Sequence, residues 1–137
     1  MKALYVETSA LLAWLLGQKR GPEARAAIDA AETVMTSALT FVEIERVLAR
    51  GVAERVLREA DARRVRGLVA RQRGAWIVMA ITDDVLARAG RLFPVEPLRT
   101  LDAIHVATAL AFTEVFPDLE VLSVDRRVTD NARALGL

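Results

Sequence analysis

Two short stretches carry the residues most suited to chemistry. "ALYVETSALL", residues 3 to 12, is an apolar run broken by one carboxylate, Glu7, with the hydroxyls of Thr8 and Ser9 directly behind it. "EVLSVDRR", near the C-terminus, ends a second apolar run at Asp125. Carboxylates gathered in one place bind hard cations such as Mg²⁺ or Mn²⁺ through oxygen ligands. A single acid decides nothing, so the question is which others join them. Asp102 lies two residues after Thr100 in "RTLDAIHVATALA", in the first turn of an apolar helix. An acid there complements the helix dipole. In a helix apolar enough to be buried, it also needs a partner. In "SALTFVEIERVLAR", Phe41, Ile44, Val47 and Leu48 form an apolar arc with Glu43 and Glu45 on its two flanks, and periodicity does not choose between them. His105, the sole histidine, follows Asp102 by one turn and reads as a packing or supporting residue. No nucleophile elbow accompanies it, and no Gly-rich phosphate loop occurs.

The elements that would position these acids alternate. Strands are expected at about residues 3–6, in "TVMT", in "AWIVMAI" and in "EVLSV". Helices are expected from Ser9 to a stop at Gly17, over 22–31, from an N-cap at Ser37 to Gly51, from Thr82, from a cap at Thr100, and over "RRVTDNARALG". Residues 52–73 read as one long helix or a helical hairpin, with Val56, Ala60, Leu68 and Val69 on its apolar side. This alternation implies an α/β sandwich on a mostly parallel sheet, whose ligands collect beyond the carboxyl ends of the strands. Glu7 and Asp125 both fall at that edge.

The 137 residues suit one domain, 1–137, with a single sizeable core filled by Leu, Val, Ile and Ala, since aromatics are only 5%. A formal charge of +1 argues for no polyanion partner by itself. Yet "RRVRGLVARQR" gathers Arg63, Arg64, Arg66, Arg71 and Arg73 without an acid. Such a run is either a solvated helix face or a set of phosphate contacts. The absence of Cys excludes disulfides and thiolate metal sites and fits a reducing cytosol. The N-terminus has no signal-peptide pattern and no apolar stretch spans a bilayer, so a soluble cytoplasmic protein with no membrane contact is expected.

The ordered set "YVETSALL", "SALTFVEIERVLAR", "RTLDAIHVATALA" and "EVLSVDRRVTDNARALG" resembles the PIN-domain family, especially the VapC-like toxins of bacterial and archaeal toxin–antitoxin pairs. The resemblance spans essentially the whole chain in the right order. It implies a three-layer α/β/α fold, and four acids around one cleft: Glu7, Glu43, Asp102 and Asp125. It selects Glu43 over Glu45. It implies a Mg²⁺- or Mn²⁺-dependent ribonuclease, with Glu7, Asp102 and Asp125 on the metal and Glu43 holding a metal-bound water or a second cation. An RNA substrate, an antitoxin protein and a homodimer are the partners it implies. Thr8, Ser9 and Ser123 would orient the carboxylates, and an RNA substrate sets phosphate contact by the five arginines level with a solvated helix face.

Two departures from the family pattern stand out. Its first acid is usually Asp, whereas this chain has Glu7, longer by about one carbon–carbon bond, roughly 1.5 Å. The sequence ends in "ALGL", where relatives often add a fifth strand, so a sheet of four or five strands with a shortened edge is expected. A catalytically weak PIN fold that binds RNA or protein is the competing reading. A response-regulator receiver ranks far behind, lacking paired acids after the first strand and any Lys beyond Lys19.

Overall fold

The computed structural model describes residues 2–137. Its elements run β1 (Ala3–Val6), α1 (Thr8–Leu15), α2 (Gly21–Ala30), β2 (Thr33–Ser37), α3 (Ala38–Ala53), α4 (Glu59–Ala75), β3 (Ile77–Met79), α5 (Asp83–Ala89), α6 (Thr100–Phe112), β4 (Glu120–Leu122) and α7 (Arg126–Ala134). The four strands form one sheet in the order β3-β2-β1-β4. Every pairing is parallel, with Leu4 opposite Val34 on one side and Glu120 on the other. The expected α/β sandwich is thus observed, and the C-terminal residues add no fifth strand among the described residues.

Burial explains the layering. β1 is buried along its whole length, as a central parallel strand covered on both faces must be. Its side chains alternate between two cores. Leu4 and Val6 join Leu11 of α1, Ile28 of α2, Ile44 and Leu48 of α3, and Val65 of α4. Tyr5 and Ala3 face the other way, onto Met35, Ala109 and Phe112 of α6. A third cluster packs α5, α6 and α7 through Val85, Val106 and Val128. The sheet is therefore sandwiched between α1–α4 and α5–α7.

The strand order locates the functional edge. The chain builds outward from β1 to β2 to β3, then returns to place β4 on the opposite side of β1. Connections leaving β1 and β4 consequently diverge at a topological switch point, where α/β sheets open a crevice. A backbone bond from the amide of Glu7 to the carbonyl of Leu122 (2.9 Å) ties the two strand ends together there.

Local structure corrects three sequence expectations. Gly51 does not end α3, which continues to Ala53. A Cβ on Gly51 would lie 2.6 Å from Leu57 Cδ1, so this glycine admits the returning loop, and Arg55 (φ 60°) takes the left-handed turn. Residues 52–73 form the hairpin alternative, the end of α3 and most of α4 joined by a short loop. Its buried residues are Ala62 and Val65, while Val56 is 76% exposed and Ala60 is also exposed. Finally, α6 is capped by Arg99 rather than Thr100, with no side-chain cap bond. No helix among the described residues is long and apolar enough to cross a membrane.

Candidate active site

Glu7 stands at the end of β1 as the N-cap of α1, with its carboxylate folded back onto the helix start. Oε1 accepts from the Ser9 amide at 3.1 Å. Oε2 accepts from the Ser9 hydroxyl and from Ser123 Oγ, the latter at 2.7 Å. Ser9 Oγ also accepts from the Val124 amide, and Ser123 Oγ from the Asp125 amide. Glu7 is only 4% exposed. Both its oxygens thus serve a knot that stitches β1, α1 and the segment after β4. Capping normally falls to Asp, Asn, Ser or Thr. Here the extra methylene of Glu lets one carboxylate cap its own helix and still accept from the neighbouring strand.

Glu43 projects from α3 and is half-buried. Thr8 donates to its Oε1 at 2.6 Å, and His105 Nε2 lies 2.5 Å from the same oxygen. Among the described residues, all hydrogen bonds to this carboxylate fall on Oε1. Partial burial pushes the carboxyl up, but the bonds from His105 and Thr8, with the polar field of His105 and the charge of Arg99, outweigh it. The group is held below the usual carboxylate range. Glu45 instead turns outward and pairs with Arg66 at 3.0 Å. The two glutamates that periodicity left equivalent therefore have different surroundings.

Asp102 and Asp125 occupy the starts of α6 and α7. Asp125 caps α7 by accepting from the Arg127 amide through Oδ1 (2.9 Å). Its Oδ2 faces Arg99 at 3.4 Å, and Asp102 Oδ2 meets the same guanidinium at 3.1 Å. The Asp102 side chain is 10% exposed, whereas that of Arg99 is 67% exposed. An exposed cation thus spans two acids 23 residues apart along the chain.

The four acids are joined as one network rather than focused on one point. Ser123 links Glu7 to Asp125, Arg99 links Asp125 to Asp102, and Thr8, next to Glu7, holds Glu43. No three Asp, Glu or His side chains among the described residues converge on one ion position. The donor chemistry nonetheless suits a hard divalent cation: carboxylates and hydroxyls, with no sulfur. The Arg99 guanidinium lies between Asp102 and Asp125, so the two aspartates share one positive charge. Glu7 fits less well, because both its oxygens are engaged.

Sequence reasoning missed Arg99 and the partner of His105. Arg99 had a readable signal, since a basic residue three before an acid at a helix start is a pairing distance. The His105 ring is 1% exposed, and its Nδ1 lies 2.8 Å from the Tyr5 hydroxyl. Burial and the charge of Glu7 push that phenol well above its usual range. Nothing in the local sequence reveals a contact spanning 100 positions.

The five arginines do not form one patch. At 100° per residue on α4, Arg64 and Arg71 fall on one flank of the buried Ala62–Val65 face, Arg66 and Arg73 on the other, and Arg63 outside both. Arg66 is tied to Glu45, and Arg73 lies over the Phe41 ring at 4.6 Å.

A doubly wound parallel sheet with acids at its carboxyl edge defines a class, and comparison with known proteins gives it a name. The PIN domain matches residues 4–134, and the chain belongs to that family. Among its relatives, Ribonuclease VapC46 of Mycobacterium tuberculosis is 31% identical over the whole of this chain and 95% of its own length. Ribonuclease VapC45 of the same species is 30% identical over 99% of this chain and 93% of its own length. Two solved structures share the fold. M. tuberculosis VapC20, described as a sarcin–ricin loop cleaving toxin, superposes with TM-score 0.65 at 18% identity, covering 98% of this chain and 95% of that one. A toxin–antitoxin complex from Klebsiella pneumoniae gives 0.58 at 23% identity, covering 90% and 86%. PIN-domain ribonucleases of the VapC type depend in general on divalent metal.

Proposed function

We propose that this chain is an endoribonuclease that hydrolyses RNA phosphodiester bonds, and that it is the toxin half of a toxin–antitoxin pair. The observation that carries the reading is the bridge that Arg99 makes between Asp102 and Asp125 at the switch point of the sheet. Full-length relatives named as ribonucleases support it. Asp102 and Asp125, with Glu43, would hold Mg²⁺ or Mn²⁺. Such a cation, when bound, supplies activation of water and neutralisation of charge on the phosphate.

The chain's own residues have separable tasks. Arg99, displaced from the aspartates, is free to meet a phosphate oxygen of the RNA. Ser9 and Ser123 fix the Glu7 carboxylate, so Glu7 contributes negative charge and holds the strand ends in register. The arginines of α4 would contact backbone phosphates further along the strand. An antitoxin covering the same edge, a homodimer and a cytoplasmic location belong to the same proposal. The chain's mass in solution, alone and with a co-expressed partner, checks the two assemblies.

Cleavage of mixed RNAs with Mg²⁺, Mn²⁺ or a chelator tests the activity. Cleavage is expected with both ions and higher with Mn²⁺, whose geometry demands are looser. It should be abolished by chelation and by Asp102→Asn. RNA binding without cation-dependent cleavage would instead favour a binding module, the reading that the engaged oxygens of Glu7 support.

A further inference from the structure

We infer that His105 is a positioning residue for Glu43, itself fixed by Tyr5, so that a buried chain from the core of the sheet aims one carboxylate oxygen at the cleft. The inference rests on the reading of this edge as the reaction site. Tyr5 is fully buried on β1, on the face turned toward α6, and its hydroxyl meets His105 Nδ1 at 2.8 Å. The rings stand edge to face with centroids 6.1 Å apart. On the other side of the imidazole, Nε2 meets Glu43 Oε1 at 2.5 Å and Thr8 Oγ1 at 3.0 Å. Thr8 donates to that same Oε1.

Three features distinguish this from ordinary core satisfaction. An ionised carboxylate only accepts, so the contact requires the proton on Nε2. The Tyr5 hydroxyl on Nδ1 holds the ring in the orientation that makes this possible, as partners of metal-site ligands orient those ligands. Both anchors fall on Oε1, and Oε2 carries no hydrogen bond among the described residues. The chain also crosses layers, from the sheet through α6 to α3, so the side chain's aim depends on the packed core.

The single histidine makes the test direct, because its ring signals need no assignment to a residue and the two nitrogens are told apart by their couplings to the ring protons. In the full chain, nitrogen-15 NMR should show a protonated Nε2 as one species, and Tyr5→Phe should add the tautomer with the proton on Nδ1. For RNA cleavage, loss of one hydrogen bond of ordinary net strength corresponds to about two- to tenfold. Tyr5→Phe should lower kcat by that amount with KM within about twofold, an interaction that acts after binding. His105→Leu should lose at least about tenfold. His105→Gln, whose amide reaches the Nε2 position, should restore most of it, and Tyr5→Phe added to His105→Gln should change nothing further. An Nε2 without a proton would overturn the inference even if no RNA were cleaved. Equal activity of the Leu and Gln variants, or a Tyr5→Phe effect confined to stability, would do so in an active protein. If the wild type cleaves nothing while the NMR result holds, the positioning stands and only the assigned reaction fails.

Discussion

The two halves of the acidic edge are held in opposite ways. Glu43 is gripped by Thr8 and a buried imidazole, contacts that span 35 and 62 positions of the chain. Asp102 and Asp125 are instead bridged by Arg99, a side chain two-thirds exposed and free to leave. Its pair with the partly exposed Asp125 is of the surface kind, about 0–1 kcal/mol, whereas the nearly buried Asp102 needs a cation beside it. A divalent cation therefore replaces one exposed guanidinium on the aspartate side, whereas the glutamate side is preset by the core. One half of the site is rigid and the other is exchangeable. Glu7 belongs with the rigid half, since its oxygens are committed to Ser9 and Ser123.

The largest effect should come from the exchangeable half. Asp125→Asn removes charge where a cation would be held but keeps a side chain able to cap α7. Cation-dependent RNA cleavage should fall by about 100-fold or more, with the circular dichroism spectrum unchanged. If activity survives, the two aspartates are not the cation-holding side.

On the rigid side the first effect should be on stability. Glu7→Gln exchanges an acceptor for an amide group facing two hydroxyls in a buried knot, a mismatch costing about 1–3 kcal/mol. The urea midpoint should drop accordingly, and activity with it. Glu7→Asp keeps the charge but retracts it by roughly 1.5 Å, so it should also lose stability, by less. Were Glu7→Asp to raise activity strongly, Glu7 would be a defect in a site built for Asp, and the binding-module reading would gain.

A smaller effect should appear with pH. The carboxyl of Glu43 is depressed in the folded chain. Its stabilising contribution is then complete above the unfolded value, near about pH 4.3, and is lost as pH falls through the lower folded value. Wild type should exceed Glu43→Gln in stability at neutral pH, and the gap should close in acid. A gap independent of pH would mean that the grip on Oε1 does not depend on its charge.

The smallest effect concerns the arginines of α4. Paired Ala substitutions of Arg64 and Arg71, which have no acidic partner as close as that of Arg66, should weaken RNA affinity and flatten its salt dependence more than those of Arg66 and Arg73. Equal slopes would return the helix to an ordinary solvated face.

How much of this was legible in the sequence follows the same division. The strands, the parallel sheet and the edge carrying Glu7 and Asp125 were readable, because apolar runs ending in an acid are local signals. The end of α3 was misread at Gly51, because a glycine that admits a neighbouring side chain looks like one that stops a helix. Glu43 and Glu45 were inseparable by periodicity, since only Thr8, His105 and Arg66, far away in sequence, distinguish them. The commitment of Glu7 to Ser9 and Ser123 was also hidden, because half of its partners arrive with β4. What the sequence conceals is long-range partnership.

The most direct measurement is the binding of Mn²⁺ to the purified chain by calorimetry, without RNA. It compares wild type, Asp102→Asn/Asp125→Asn and Arg99→Ala. If the aspartates form the exchangeable cation position that Arg99 now spans, the double variant should lose the binding. Arg99→Ala should tighten it by about two- to fivefold, through loss of the guanidinium that competes for both aspartates. Unchanged Mn²⁺ affinity in the double variant would contradict the assignment of the site.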